Sequence, residues 1–204
     1  MPTSVQLREA EIRGWVRALL EVIGDPKPFV DTAEVTRLYE ARSHLGMFTC
    51  LRERFALDCQ MQFLVSDSGA PRGAVAWMRG AREVPRLGTP EFREYRVTCY
   101  LHPIFAKRSL CDELTIAIVR ELSRLYLRSI RHELKRVPEA VDLTAMFYGY
   151  RAVYRRYADD EGTRPKPSTL HPDILRALFG EAGPTLQTYL SAQEVRHALA
   201  LMRT

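Results

Sequence analysis

Apolar residues in the first part of the chain recur at helical spacing. Ile12, Val16 and Leu19 are three or four positions apart, so one side of a helix would carry all of them into a core. Gly24 then interrupts the pattern, as glycine commonly does at the end of a helix. The spacing predicts a helix over residues 5 to about 23.

A second helical stretch follows a short polar segment. Asp31 and Thr32 are candidate caps, because their side-chain oxygens can accept hydrogen bonds from the N–H groups of the first turn. Apolar residues at helical spacing continue through Leu38. The pattern predicts a helix that continues, after a break near Gly46, to about Phe55.

The period of the apolar residues then changes to two. Residues 60–66 and 73–79 have the character of strands, and the polar loop between them contains Gly69 and Pro71, which predicts a hairpin. Residues 95–101 alternate apolar and polar side chains, which predicts a third strand with two different faces. These signals indicate a small, mostly antiparallel sheet.

The longest helical signal covers residues 110–131. Its apolar positions line one side, as expected of a helix that packs on a sheet: Leu114, Ile118, Leu122 and Leu125. Pro138 ends the pattern, and a further helix is predicted from about residue 139 to residue 157.

The C-terminal part of the chain begins with the polar linker DDEGTRPKPS, residues 159–168. Two short helical segments follow. The first is HPDILRALFG, residues 171–180, and the second begins at Ser191, where Glu194 stands three positions later and predicts a capping box.

Together these elements predict an α+β fold with N-terminal helices, a small sheet, a long helix and a second helix directly after it. The 204 residues are enough for one domain with a real core. We expect that domain to span residues 1–157, with the N-terminal helices in about 1–55, and we expect residues 158–204 to form a linker and a short helical tail.

Composition and charge are those of an ordinary globular protein. Hydrophobic residues make up 46% of the chain and charged residues 27%, which excludes disordered and fibrous classes. The formal net charge of +5 allows an anionic partner without requiring one. Charged residues interrupt the N terminus, and no later stretch approaches the ~20 apolar residues that a membrane span needs. We therefore expect a cytoplasmic protein without a membrane partner, whose four cysteines stay reduced.

The long helix carries a motif with the outline of a zinc-peptidase helix. In HExxH, two histidines four residues apart meet on one helix face and bind zinc, while the glutamate serves as general base. Residues 120–124 read RELSR, so Glu121 stands at the position of the base and Arg120 and Arg124 stand at the positions of the histidines. A carboxylate on the following helix, such as Glu139, would complete a site of this kind.

Four segments of the chain resemble small bacterial gluzincin-type zinc metallopeptidases. In that family the corresponding segments run approximately AHELSH, a turn with a histidine, EEAVDLTAMLLGY and GYLTPEEV. The segments here are VRELSR at 119–124, SIRHELKR at 129–136, PEAVDLTAMFYGY at 138–150 and TYLSAQEV at 188–195. The resemblance is most specific in EAVDLTAM and does not reach the N-terminal helices. It implies a zincin-like fold.

The resemblance also implies a role for each matching residue. Arg120 and Arg124 fall on the two histidine ligands, Glu121 on the catalytic base, Glu139 on the acidic third ligand and Asp142 on a supporting carboxylate. Arginine stays protonated near neutral pH and offers no lone pair to a metal. We therefore expect no zinc, no other cofactor and no catalysis. The expected function is that of a pseudoenzyme that binds a protein or peptide, alone or as a subunit of a larger assembly.

Two histidines are alternative metal ligands. His132 begins the sequence HELKR, but Arg136 takes the place of a second histidine, and the resembling proteins carry a histidine at this turn in addition to HExxH. A structural role is therefore expected for His132. His102 ends the predicted third strand, and one histidine with Glu139 makes a poor zinc site. A residual hydrolase with such a non-standard metal site is an alternative function.

Replacement of a zinc ion by two arginines has an electrostatic rationale. Without the ion, the carboxylates of the site would be buried and unpaired, which is costly. Arg120 and Arg124 supply the same two positive charges. We predict that one or both guanidinium groups take the position of the metal and bind Glu139 or Glu121 bidentately. The simpler alternative is that both side chains point into solvent.

Two surfaces are candidates for partner binding. The strand at 95–101, taken as an exposed edge, offers its backbone to an extended peptide. An arginine stripe along the long helix supports a different function, that of a nucleic-acid or anion-binding module. The candidate binding residues are Arg96, Thr98 and Tyr100 on the strand, Arg128 and Arg131 on the long helix, and Tyr148 in an aromatic cluster that is either core or interface.

Overall fold

The chain forms an α+β fold in which helices surround a three-stranded sheet. A computed structural model of the protein describes residues 4–160, 186 and 188–202. The elements, in chain order, are α1 (Ser4–Ile23), α2 (Ala33–Glu40), α3 (His44–Glu53), β1 (Gln60–Val65), β2 (Ala76–Gly80), α4 (Pro90–Glu94), β3 (Arg96–Leu101), α5 (Pro103–Arg108), α6 (Cys111–Ser129), a 3-10 turn (Glu133–Arg136), α7 (Pro138–Ala145), a π-helical turn (Met146–Tyr150), α8 (Arg151–Asp160) and α9 (Ala192–Leu201).

The sheet has the strand order β1-β3-β2, with β3 in the centre. β1 runs parallel to β3 and β2 runs antiparallel to it. Two predictions are therefore wrong: β1 and β2 do not pair as a hairpin, and the sheet is mixed rather than mostly antiparallel. Each edge of β3 is bonded by one of the other strands, and the buried Val97, Cys99 and Leu101 turn one face of this central strand toward the core.

Helix α6 lies at the centre of the fold. It packs against β2 and against α3, α7 and α8, which surround it on most sides. The four apolar positions predicted to face the core, Leu114, Ile118, Leu122 and Leu125, are all buried, which confirms that prediction. Because neighbours cover more than one side of the helix, Arg120 on the opposite side and Glu121 beside the apolar positions are buried as well.

The N-terminal helices follow the predicted pattern with one shift. α1 ends at Ile23, and Gly24 follows with a positive φ of 81°. The next break lies between α2 and α3 rather than at Gly46, which is inside α3. Arg42 makes that break with a φ of 55°.

The described part of the C-terminal tail packs onto the rest of the chain. α9 contacts both α1 and α8, and Ser191 and Glu194 form the predicted capping box at its start. The predicted helix at residues 171–180, and the linker from residue 161 on, lie outside the described residues. None of the described helices is both long and apolar enough to cross a membrane.

A π-helical turn divides the helix predicted over residues 139–157. At this turn Gly149 has a φ of 101°, and its carbonyl accepts a 3.1 Å hydrogen bond from the Val30 amide. The loop between α1 and α2 thus docks against the turn. A Cβ at position 149 would lie 2.4 Å from the Pro28 carbonyl oxygen, so both the backbone angle and the contact require glycine.

Replacing Gly149 with alanine is expected to lower the free energy of unfolding by about 1–3 kcal/mol, because alanine combines a strained φ with the contact to Pro28. The matched control is Gly14→Ala. Gly14 lies on α1 with no atom near its Cβ position, and there alanine should stabilise the helix by up to about 1 kcal/mol. Chemical denaturation of both variants measures the difference, and equal effects would contradict this account of the turn.

Candidate functional site

A pair of opposite charges lies where α6 passes the strand β2. Arg124 Nη1 pairs with Glu121 Oε1 one turn earlier, and Arg124 Nη2 donates a 3.0 Å hydrogen bond to the Tyr189 hydroxyl. The Glu121 carboxyl is buried, and the backbone N–H of Met78 in β2 lies near enough to lower its pKa. The residue at the position of a catalytic base therefore connects α6 to the sheet.

Asp142 of α7 is the most heavily bonded carboxylate of the site and has no exposed surface. Its Oδ1 lies 3.2 Å from Arg120 Nε and accepts a 2.9 Å hydrogen bond from the Tyr154 hydroxyl. Its Oδ2 accepts hydrogen bonds from the backbone amides of Tyr189 at 2.7 Å and Leu190 at 3.2 Å. The carboxylate thus accepts three hydrogen bonds, and the contact with Arg120 Nε is an ion pair.

Arg120 connects Asp142 to the tail. Its guanidinium carbon lies 4.2 Å from the centroid of the Tyr189 ring, close enough for a cation–π contact. The residue is only 8% exposed, so its charge depends on the protein for compensation. Arg120 and Asp142 together hold the segment before α9 against the middle of the fold.

Burial governs the ionisation of both carboxyls. It raises the pKa of Glu121 and of Asp142, because water no longer solvates the charged form. The positive charge of Arg124 lowers the pKa of Glu121, and the positive charge of Arg120 lowers the pKa of Asp142. Each buried carboxyl therefore needs its arginine to stay ionised.

Glu139 is bound by a different arginine from the ones predicted. Arg8 of α1 pairs through Nη2 with Glu139, through Nε with Glu194 of α9 at 2.5 Å, and through Nη1 with Glu11 at 3.0 Å. The prediction that Arg120 or Arg124 binds Glu139 is wrong, because α1 and α9 provide a nearer cation. Arg124 does pair with Glu121, but through Nη1 alone, because Nη2 is bonded to the Tyr189 hydroxyl; the predicted bidentate geometry is not seen for this pair.

The residues that align with the metal ligands of the resembling peptidases do not fit a zinc ion. Both histidine positions hold arginines that are engaged with carboxylates, and a guanidinium has no lone pair to donate. In the described ranges, no group of three or more His, Cys, Asp and Glu side chains is arranged to hold a metal.

The two alternative histidines have structural roles instead. His102 Nδ1 accepts a 3.3 Å hydrogen bond from the Ile104 amide and caps α5. His132 Nδ1 accepts a 3.2 Å hydrogen bond from the Leu134 amide and caps the 3-10 turn, which confirms the structural role predicted for it.

The candidate binding residues of the strand lie on its outer face. Arg96 is exposed, and Thr98 and Tyr100 are half-buried. Because β3 pairs with a strand on each side, it has no free edge. The prediction that a peptide adds beside residues 95–101 is therefore wrong, for the same reason that the hairpin prediction is wrong.

The other candidate binding residues do not form one surface. Arg128 is exposed and donates a 3.0 Å hydrogen bond to the Arg82 carbonyl. Arg131 lies after the end of α6 and has a positive φ of 58°, so it does not belong to the predicted arginine stripe of that helix. Tyr148 is buried and stacks on Phe55 with 4.4 Å between ring centroids, so it is a core residue and not an interface residue.

The edge strand near α6 is β2. The Val75 carbonyl accepts a hydrogen bond from the His102 amide, so the backbone groups of Val75 face β3. Backbone groups alternate in direction along a strand, and those of Ala76, Met78 and Gly80 therefore point away from the sheet. Of these outward groups, the Met78 N–H lies nearest the Glu121 carboxyl and lowers its pKa.

Two adjoining clefts of about 660 and 630 Å³ follow the edge of β2 that no strand of the described ranges covers, called its free edge below. They share Trp77, Glu121 and Arg124, so together they form one groove between β2 and α6, called the β2 groove below. Tyr189 lines one end of it, and Arg128 lines the other.

Trp77 lies at the junction of the two clefts with an unused hydrogen-bond donor. The residue is 5% exposed and stacks on Tyr100 with 5.3 Å between ring centroids. Its indole Nε1 is buried and has no acceptor among the residues that the structure describes. A buried donor without an acceptor is unusual in a native protein and points to a bound group.

Several important residues gave no usable signal in the sequence. The resemblance includes Tyr189 within TYLSAQEV, but the residue acts through its backbone amide and ring, which a sequence motif does not specify. Arg8 stands on a helix that the resemblance does not reach, and Trp77 stands in a strand whose pairing the sequence does not predict. Tyr154 gives no signal of its own, because its hydroxyl bond to Asp142 depends on tertiary packing.

Comparison of the chain with protein-family models, with curated proteins and with solved structures gives no match. The α+β class is established by the fold itself. The zincin-like relationship stays a prediction that depends on the four resembling segments and on the positions of Arg120, Glu121, Arg124 and Asp142.

Replacing Arg120 with methionine is expected to lower the free energy of unfolding by about 3–5 kcal/mol, because Asp142 would be left as a buried, uncompensated charge. In the background of Asp142→Asn the same replacement should cost much less, since no charge remains to be compensated. A double-mutant cycle by chemical denaturation measures this coupling.

Arg128→Met is the matched control for that cycle. It lies on the same helix, is exposed and bonds only a carbonyl, so a change within about 0.5 kcal/mol is expected. If Arg120→Met lowers the free energy of unfolding equally in the wild type and in the Asp142→Asn variant, the ion pair does not have the role assigned to it.

Proposed function

We propose that this protein is a catalytically inactive relative of gluzincin metallopeptidases that binds an extended peptide segment of a partner protein in the β2 groove. The observation that carries the proposal is the free edge of β2 beside the degenerate motif on α6. An extended peptide can add to such an edge by backbone hydrogen bonds, and this mode of binding needs no metal.

The shape of the groove supports binding of a chain segment. Its two clefts adjoin along the length of β2, and backbone groups of Ala76 and Gly80 point away from β3 toward a ligand. Trp77 lines both clefts, and its indole Nε1 is a buried donor without an acceptor in the described ranges. These features match the needs of an added strand, which are alternate backbone partners and a few oriented polar groups.

The chemistry of the motif supports binding without cleavage. Glu121 is buried and paired with Arg124, so it is not available to activate a water. Arg120 and Arg124 cannot hold the metal that would polarise a peptide carbonyl. The charged groups of the motif therefore support the groove rather than hydrolysis.

Selection from a displayed library of random decapeptides on the immobilised full-length protein tests the proposal. We expect selected peptides to bind as strands, in which every second backbone nitrogen donates a hydrogen bond to β2. N-methylation of one of these nitrogens should abolish binding, and N-methylation of the nitrogens between them should be tolerated. Incubation of the same peptides with the protein and added zinc should leave their masses unchanged.

Two tryptophan substitutions test whether the peptides bind in the β2 groove. Ala74→Trp is expected to fill the groove and weaken binding at least about tenfold, which corresponds to ~1.4 kcal/mol. Ala10→Trp, at an exposed position on α1 away from the groove, should leave binding unchanged. Unaltered binding by Ala74→Trp would refute the location, and chelator-sensitive cleavage of the peptides would refute the proposed loss of catalysis.

A further inference from the structure

The charged side chains that line the β2 groove are almost all arginines. Within the part of the chain that the structure describes, Glu121 is the one acidic residue that lines it, and Arg124 already pairs with that carboxyl. Arg120 is likewise engaged with Asp142. These pairs leave the groove floor close to neutral.

Four further arginines line the groove with no acidic partner in the described ranges: Arg72, Arg79, Arg82 and Arg128. Arg79 donates a hydrogen bond to the Gly69 carbonyl at 2.5 Å and lies over the Tyr100 ring, with 5.6 Å between its guanidinium carbon and the ring centroid. Arg128 donates a hydrogen bond to the Arg82 carbonyl at 3.0 Å. A carbonyl orients a guanidinium but does not neutralise it. The groove therefore carries a concentrated positive charge on a chain whose formal net charge is only +5.

We propose that the segment bound in the β2 groove is acidic, with aspartate or glutamate side chains that pair with these four arginines. The inference depends on the proposed function and adds the chemical class of its ligand. Arginine suits this role because its planar guanidinium can bind a carboxylate through two parallel hydrogen bonds.

The geometry of an added strand places acidic side chains within reach of arginines on both sides. Side chains alternate between the two faces of a strand. One face of the added strand would meet Arg79, which lies on the outer face of the sheet with Trp77. The other face would meet α6, where Arg128 is exposed. Glu121 disfavours an acidic residue directly opposite Met78, so the acidic residues are expected to flank that position.

A nucleic acid is the competing anionic ligand, and the groove suits it less well. Its middle is occupied by Glu121, which repels phosphates, and the aromatic face of Trp77 is covered by Tyr100 rather than open to a base. The free backbone edge of β2 has no use in binding a phosphate chain, whereas it is the main requirement of an added strand.

The test uses the decapeptides selected on the full-length protein and versions of them in which every Asp and Glu is replaced by Asn and Gln. We expect the amide versions to bind at least about tenfold more weakly, since several partly exposed charge pairs are lost. Calorimetric titration against wild type, Arg79→Gln/Arg82→Gln and the control Arg13→Gln/Arg17→Gln measures this. Arg79→Gln/Arg82→Gln should bind the acidic peptides and their amide versions with equal affinity. Arg13→Gln/Arg17→Gln, on the exposed side of α1, should still bind the acidic peptides more tightly.

The possible outcomes distinguish failure of the acidic preference from failure of peptide binding itself. If selected peptides bind but the acid and amide versions bind equally, the acidic preference is wrong and peptide binding stands. If selection yields no peptide that binds, the proposed function fails as well. If oligothymidylate binds more tightly than the acidic peptides, and Arg79→Gln/Arg82→Gln abolishes that binding, the groove is a nucleic-acid site and the inference is overturned.

Discussion

The buried ion pair between Arg120 and Asp142 connects three parts of the chain that are far apart in the sequence. Arg120 belongs to α6, Asp142 to α7, and the amides of Tyr189 and Leu190 that bind the same carboxylate precede α9. Without the arginine, burial would favour the protonated form of Asp142, which is a weaker acceptor for those amides. The charge at position 120 therefore decides whether the tail is held against α6.

The same arrangement shapes the surface where we propose that a partner binds. Tyr189, positioned by Asp142 and Arg120, lines one end of the β2 groove, and Glu121 links the middle of α6 to the edge of β2. In a zinc peptidase these positions would hold a metal and activate water. Here two arginines compensate the carboxylates, so the polar groups of the motif serve to fix the walls of a groove.

Helix periodicity was the most reliable information in the sequence. It placed α1, α6 and the capping box of α9, because each depends on local spacing and end signals. Strand pairing depends on contacts between distant residues, and for that reason the pattern did not show that β3 is central. The motif indicated the importance of Arg120 and Arg124, but their partners were decided by tertiary packing, which brings Arg8 to Glu139 and Asp142 to Arg120.

The zinc content of the purified native protein, measured by elemental mass spectrometry after exposure to excess zinc, tests most directly whether arginines have replaced the metal. The account predicts a content far below one zinc per chain and an unfolding midpoint that a chelator does not change, because bound metal would otherwise stabilise the folded state. A content of about one zinc per chain, with a midpoint that falls on chelation, would contradict it.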